Sequence, residues 1–376
     1  MDFSLTDEQR RMKETVGGFF EDEGGVELAR RQMDGEEGVV DEVWDAVAEM
    51  DYTALTVPVE QGGLGDGMLY LALFLEEAGR YATPGPFAET LGFAVPLIDE
   101  LGTEEQKKAY LTEVADGEGR FSVALHDDVN ETPPETVTME AKVTDDGYVF
   151  DGTKPLVPYA DEVDSLVVAT KTRDESGYGG ISLFVVDTAD VETTPVETLD
   201  STRPLYEVEF DGLTLDEDAL LGSLHGGGDA LRRGIDRLNV CGSAMLVGGA
   251  DEAVERSAQH GNEREQYGHP VGRFQAVKHR ITDMWMNMQG ARSLVYNAAW
   301  RLENDAQDAP RAVASAAAFT TEECSNVFGD DIFNHGGMGF TWDHDAHIFL
   351  KQARTWETFL GTPEEHRERV AEARLS

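Results

Sequence analysis

The apolar residues of this chain change period twice. Up to about residue 120 they recur at helical spacing, as in MLYLALFLEEAGR (68–80) and FAETLGFAVPLIDELG (87–102). From about Phe121 the runs FSVALHD, TMEAKVTDDGYVFDG, SLVVAT, ISLFVVD and LYEVEFDGLTL are short and β-rich, and Asp146-Gly147 and Asp151-Gly152 read as turns between them. From roughly Gly226 the helical period returns and holds to the end, with DALLGSLHGGGDALRR as the linker. This order limits the chain to an α+β fold: an N-terminal helical domain (1–120), a middle β-barrel or sandwich (121–224) and a C-terminal helical bundle (225–376). Thr6 with Gln9 fits a capping box, and Thr103 is the expected N-cap of the helix TEEQKKAYL. A β module set between helical segments leaves clefts at its borders, where ligands commonly bind.

Charge narrows the partners. The chain has 74 acidic residues against 30 basic ones, a net charge of −44, and 8 lysines beside 22 arginines. The acids are spread through every segment, while 40% of the residues are hydrophobic, so this is a globular chain and not an acidic tail. Such a surface repels itself at low ionic strength, and molar salt shortens the Debye length to about 3 Å. The composition suits a salty cytoplasm and makes nucleic acid and anionic membranes poor partners. The N-terminus MDFSLTDEQRR shows no apolar signal region and no apolar run reaches spanning length, so a cytoplasmic location is expected. Two distant cysteines, Cys241 and Cys324, exclude a disulfide framework or a cysteine-built zinc site.

Two stretches carry chemistry. Asn334–His347 reads NHGGMGFTWDHDAH. Its G-G-x-G permits close backbone approach or positive φ, although a structural turn is the commoner use of such glycines. No strand–glycine–helix unit surrounds it and no Gly-Lys-Ser/Thr follows, which excludes a Rossmann fingerprint and a Walker A loop. His344 and His347 stand three apart and would share a helix face beside Asp343, a spacing that metal sites use. No third ligand group accompanies them, and no metal is expected. The second stretch, NEREQYGHPVGRFQAVKHRITDM, sets Arg264 before Tyr267-Gly268, with Phe274-Gln275 opening a long amphipathic helix. An arginine beside a glycine turn can hold phosphate, and a surface arginine before a helix is the alternative.

In combination, Arg-x-x-Tyr-Gly, Phe-Gln-Ala-Val-Lys-His and Gly-Gly-x-Gly-Phe-Thr closely resemble the C-terminal domain of the acyl-CoA dehydrogenases. The segments MDFSLTDEQRRMKETVGGFF, EQGGLGDG, FLEEAGR and TLDSTRPLYEVEFDG, with ALLG after it, are similar to the same family. The resemblance covers nearly the whole chain and implies FAD shared across a subunit interface. Arg264 would reach the FAD pyrophosphate of the neighbouring subunit, with Tyr267 in the place of a usual phenylalanine. Gln275 would face the same cofactor, and Gly336 and Gly337 the adenosine half; Thr362 is placed at the cofactor too. Phe333 replaces a usual glutamine. FSVALHDD and KPLVPYAD stand where the family covers the flavin ring, so Val157 and Pro158 would meet it through backbone groups.

The resemblance implies oxidation of an acyl-CoA thioester: an α-proton goes to a carboxylate in a dry pocket and a β-hydride to the flavin. The family's usual glutamate precedes a Gly-Thr, where this chain has Leu360. A second family position falls near Met245, and its window VCGSAMLVGG contains no acid. Glu89, on the helix that lines the family's acyl pocket, becomes the candidate base, with Asp236 behind it. KPLVPYADEVDSLVVAT and GFTWDHDAHIFLKQA resemble a branch that often takes bulky or branched acyl groups and often assembles from two related chains. The alternative function is therefore a non-catalytic partner subunit that completes the FAD site of another chain. An electron-transfer flavoprotein as electron acceptor, and a homo- or hetero-oligomer (dimer or tetramer), are the implied partners.

Overall fold

The computed structural model describes residues 5–133, 136–145 and 147–375. The expected turn residue Asp146 lies outside them. In chain order the α- and π-helices are α1 (Asp7–Asp22), α2 (Val26–Met33), α3 (Val39–Glu49), α4 (Met68–Arg80), a first π-helix (Ala88–Ala94), α5 (Val95–Leu101), α6 (Glu104–Gln106), a second π-helix (Lys107–Leu111) and α7 (Thr112–Ala115). After the strands come α8 (Gly228–Glu263), α9 (Gln275–Glu303), α10 (Ala309–Asn334), α11 (Ala346–Leu360) and α12 (Pro363–Leu375). The α+β order of helices, strands and helices is the one the periodicity predicts. Both expected N-caps form, Thr6 in the expected capping box and Thr103 in one as well: Gln9 N donates to Thr6 Oγ1 over 3.2 Å, and Gln106 N to Thr103 Oγ1 over the same distance, each glutamine side chain accepting from the cap's own N–H.

Contacts group the chain into two units. The first consists of Met1–Glu36, Met68–Thr83 and Asn239–Ser376, and is helical. In it α4 packs on α1 and α9, and α10 on α9, α11 and α12. Glycines let α4 and α8 approach closely. A Cβ at Gly79 would lie 2.1 Å from Met245 O, and one at Gly248 only 1.7 Å from Glu76 O, so any side chain there would push the two backbones apart. Glu76, almost fully buried, is held by Lys13 Nζ at 2.6 Å, Arg292 Nε at 2.8 Å and Tyr296 Oη at 2.6 Å. Burial alone would raise its carboxyl, but Lys13 and Arg292 outweigh that and hold it below its ordinary value.

The second unit, Glu37–Gly67 with Pro84–Leu238, contains a sandwich of two four-stranded sheets. One sheet runs β1 (Phe121–Ala124), β4 (Ser165–Lys171), β5 (Ile181–Asp187), β8 (Leu220–Leu221); its β1–β4 pair is parallel. The other runs β2 (Ala141–Thr144), β3 (Gly147–Pro158), β7 (Leu205–Leu215), β6 (Glu192–Val196), all antiparallel. Leu166, Val168, Phe184 and Val186 from the first share one buried cluster with Phe150, Val157, Val208 and Phe210 from the second. The rings of Phe150 and Phe184 meet edge to face at 5.0 Å. Each such side chain contributes about 1.5–3 kcal/mol by leaving water. Asp151-Gly152 is not the turn its sequence suggests. It lies inside the twelve-residue β3, where the pairing with β7 shifts between Phe150 and Gly152 and Gly152 takes φ 153. The dipeptide makes a bulge, because pairing on both sides outweighs the local turn preference.

Candidate functional site

In the helical unit, the Arg-x-x-Tyr-Gly stretch is a hairpin. β9 (Glu265–Gln266) pairs with β10 (His269–Pro270) across Tyr267 (φ 55) and Gly268 (φ 77). Two positive φ values in a two-residue loop are the requirement of a type I′ turn, and this explains the glycine. Val271 N closes the hairpin on Arg264 O at 2.7 Å, and a short 3₁₀ turn (Val271–Arg273) leads into α9. Phe274 is the N-cap of α9 and makes no side-chain cap bond; Gln275 follows it, exposed. Tyr267 is 90% exposed and stands edge-on to Phe274. Arg264 is exposed and, among the described residues, has no acidic partner, in a chain where most arginines have one. A free guanidinium beside an uncapped helix N-terminus is a donor set suited to phosphate.

The double glycine lies at the end of α10. His335 is its C-cap and Gly336, at φ 59, turns the chain out of the helix. A Cβ at Gly336 or Gly337 would meet no atom of this chain within 4 Å, so packing within the chain does not call for the second glycine. Around them Phe333, Met338, Phe340 and Trp342 are all exposed. Beneath, Asp331 is sealed and accepts from Ser257 Oγ at 2.7 Å, from Arg256 Nη2 at 2.5 Å and faces His335 Nδ1 at 3.2 Å. Burial would raise the Asp331 carboxyl, but the His335 and Arg256 contacts hold it below its ordinary value. The His335 ring lies between those of His260 (4.5 Å) and His344 (4.3 Å), tilted against each.

The two histidines expected on one helix face diverge. His344 precedes α11 and packs tilted against His335, whereas His347 lies in the first turn of α11 and stacks on Trp342 at 4.8 Å. The helix starts too late for both to be on it. Among the described residues no three metal-ligating side chains converge.

At the usual base position Leu360 ends α11, and no acid replaces it there. Thr362 caps α12: its Oγ1 accepts from Glu365 N at 3.3 Å while Glu365 Oε2 accepts from Thr362 N at 2.6 Å. Met245 sits on the face of α8 that abuts Gly79.

In the β-bearing unit Glu89 lies in the first turn of the π-helix Ala88–Ala94, buried, and its Oε1 accepts from Arg203 Nη2. Such helices often mark functional positions. Tyr159, at φ 52, accepts from Gly85 N at 3.1 Å; burial and then the charge of Glu89 push its hydroxyl far up. Val157 and Pro158, both buried, pair with Tyr206 and Leu205 at the end of β3. Asp236 is buried in α8. Arg203 was inside a stretch whose pattern is readable, but nothing in the sequence marks it as the partner of Glu89, 114 residues away. The Asp331 cluster joins α8 to α10 and was equally hidden.

A helical unit with a phosphate-suited hairpin and an open double glycine, and a β-sandwich unit with a buried carboxylate, mark a class of α+β protein suited to a phosphate-bearing ligand. Family comparison makes the class specific. The model "Acyl-CoA dehydrogenase, N-terminal domain" matches residues 6–118, and "Acyl-CoA dehydrogenase, C-terminal domain" matches residues 226–375. Isovaleryl-CoA dehydrogenase, mitochondrial, of Arabidopsis thaliana is 27% identical over 366 residues, 95% of this chain and 89% of that protein. A solved structure described as the electron transferring flavoprotein of Acidaminococcus fermentans superposes with TM-score 0.92 at 25% identity over 100% of both chains. Butyryl-CoA dehydrogenase from Megasphaera elsdenii has the same fold, with TM-score 0.92 at 22% identity over 100% of both chains. The chain belongs to the acyl-CoA dehydrogenase family, and FAD-dependent oxidation of an acyl-CoA thioester is the function this membership assigns.

Proposed function

We propose that this chain carries out that oxidation with Glu89 as the base. The observation that carries the assignment is the burial of Glu89, a carboxylate inside the unit that bears the β-sandwich, with Arg203 on one oxygen and Leu360 where the family's usual glutamate stands. Arg203 orients the carboxylate; its other oxygen takes the α-proton of the thioester. Burial excludes water that would compete for that proton. Bound FAD supplies the hydride acceptor. Arg264 and Gln275 would hold the phosphate side of the FAD of a neighbouring subunit, with Tyr267 next to them in the hairpin, Gly336 and Gly337 would give that FAD's adenosine half room, and Thr362 is assigned to the cofactor as well. Val157 and Pro158 would border the flavin ring through backbone groups.

The exposed Tyr267, Phe274, Phe333, Phe340 and Trp342 support an oligomer in which a second chain covers these residues. The acidic composition supports a salty cytoplasm as its setting, and an electron-transfer flavoprotein is the proposed acceptor. Among the described residues no helix is long and apolar enough to cross a membrane.

Anaerobic titration in molar salt with straight and branched acyl-CoAs tests the reading through the visible flavin band. Bleaching by one thioester supports it and names the acyl class. The absence of an acid at both family base positions favours a second reading, a non-catalytic partner subunit; a flavin band that no thioester bleaches selects it.

A further inference from the structure

Two segments of the β-bearing unit are fastened to each other at both ends. At one end the Ser122 hydroxyl on β1 donates to the carbonyl of Pro158, the last residue of β3. At the other, Lys154 Nζ on β3 lies 2.6 Å from Asp127 Oδ1, three residues past β1. The Lys154 side chain is completely buried and that of Asp127 nearly so. Lys154 Nζ also donates to Ala169 O on β4 at 2.7 Å, and Asp127 Oδ2 accepts from Thr138 N at 2.6 Å and Met139 N at 2.8 Å. Between Lys154 and Val157 the β3–β7 register shifts, so Pro155 and Leu156 bulge out of the ladder.

A buried ion pair is a weak source of stability, because well-packed apolar residues of similar volume often serve as well. Desolvation pushes Lys154 below the ordinary lysine range, and Asp127 only partly offsets this. What the pair does here is geometric. It joins the segment 125–128 to the segment 154–158, which lacks polar side chains from Pro155 to Pro158. A ring bordered by such a segment is located by backbone and apolar groups, whose positions depend on the ties at either end.

We infer that Lys154 and Asp127 are positioning residues for the flavin ring: their ion pair, with the Ser122–Pro158 bond, holds the two backbone segments at the separation the ring requires. This rests on the proposed placement of the ring at Val157 and Pro158.

The test compares wild type with Lys154→Met/Asp127→Asn and with Ser122→Ala. It measures FAD dissociation constant, the shape of the visible flavin band and the melting temperature of the FAD-free protein in molar salt. The double variant leaves no unpaired charge and is expected to melt close to wild type, yet to bind FAD about tenfold or more weakly and lose fine structure in the flavin band. Ser122→Ala shifts both flavin readouts in the same direction by less, and Lys154→Arg, which keeps the cation, recovers part of the affinity. A folded double variant with wild-type affinity and band overturns the inference. If the double variant does not fold, Ser122→Ala decides, and an unchanged flavin band there overturns it. Wild type that binds no FAD defeats the ring placement as well; wild type that binds it, with indifferent variants, defeats this inference alone.

Discussion

Arg203 Nη2 donates to Glu89 Oε1, and both side chains are all but sealed from solvent in the β-bearing unit. The bond orients the carboxylate and leaves its second oxygen for other work. Glu89→Gln preserves an acceptor for Arg203 but removes the oxyanion. The expected result is retained FAD with flavin bleaching by the preferred acyl-CoA slowed about a hundred- to ten-thousandfold in anaerobic stopped flow. Bleaching at the wild-type rate would remove Glu89 from the reaction.

Arg264 contributes little to folding, since among the described residues it has no acidic partner. Arg264→Ala should therefore leave the melting temperature of the FAD-free protein unchanged. Loss of a charge-assisted contact to phosphate should weaken FAD binding by about 1.5–3 kcal/mol, roughly ten- to a hundredfold. Equilibrium titration of FAD against the two proteins checks both halves.

The close crossing of α4 and α8 predicts a steric penalty. Gly248→Ala places a Cβ 1.7 Å from Glu76 O, too near for side-chain adjustment to relieve, so helix displacement is required. The expected loss is about 3 kcal/mol or more, read as a lower denaturation midpoint in urea. A neutral substitution would mean that the helices separate freely.

His366 makes stability depend on pH. Burial, and next the charge of Arg369, push it down from 6.5 to about 4. Between those values the unfolded chain binds the proton and the folded chain does not, so stability falls as pH drops through this window and the loss is complete below about 4. The full effect is about 3 kcal/mol. His366→Gln should flatten the stability profile from pH 6.5 to 4; an unaltered slope would place the effect elsewhere.

Asp331 is buried as a charged group. Its removal in Asp331→Ala leaves Arg256, little exposed, with only Glu252 at 4.0 Å, and frees His335 beside the double glycine. Loss of stability by about 3–5 kcal/mol is expected, monitored by thermal unfolding in molar salt.

Periodicity and capping chemistry are local, and they carried the fold. Thr6 and Thr103 cap where their sequences say, because an N-cap is decided within four residues. The two changes of period mark where the sandwich strands begin and end, since alternation at two and recurrence at 3.6 are properties of the chain itself. The glycine of Arg264–Gly268 was legible for the same reason: a two-residue I′ turn has its own requirement.

Tertiary structure decided what depends on distant residues. Asp151-Gly152 became a bulge because β7 pairs on both sides of it, and His344 left the helix because α11 begins at Ala346. Glu89 finds Arg203 across 114 residues, Lys154 finds Asp127 across 27, and Asp331 gathers partners from α8. The reason is physical: a charge removed from water must be matched by a partner, and burial, which creates the demand, exists only once the chain has folded.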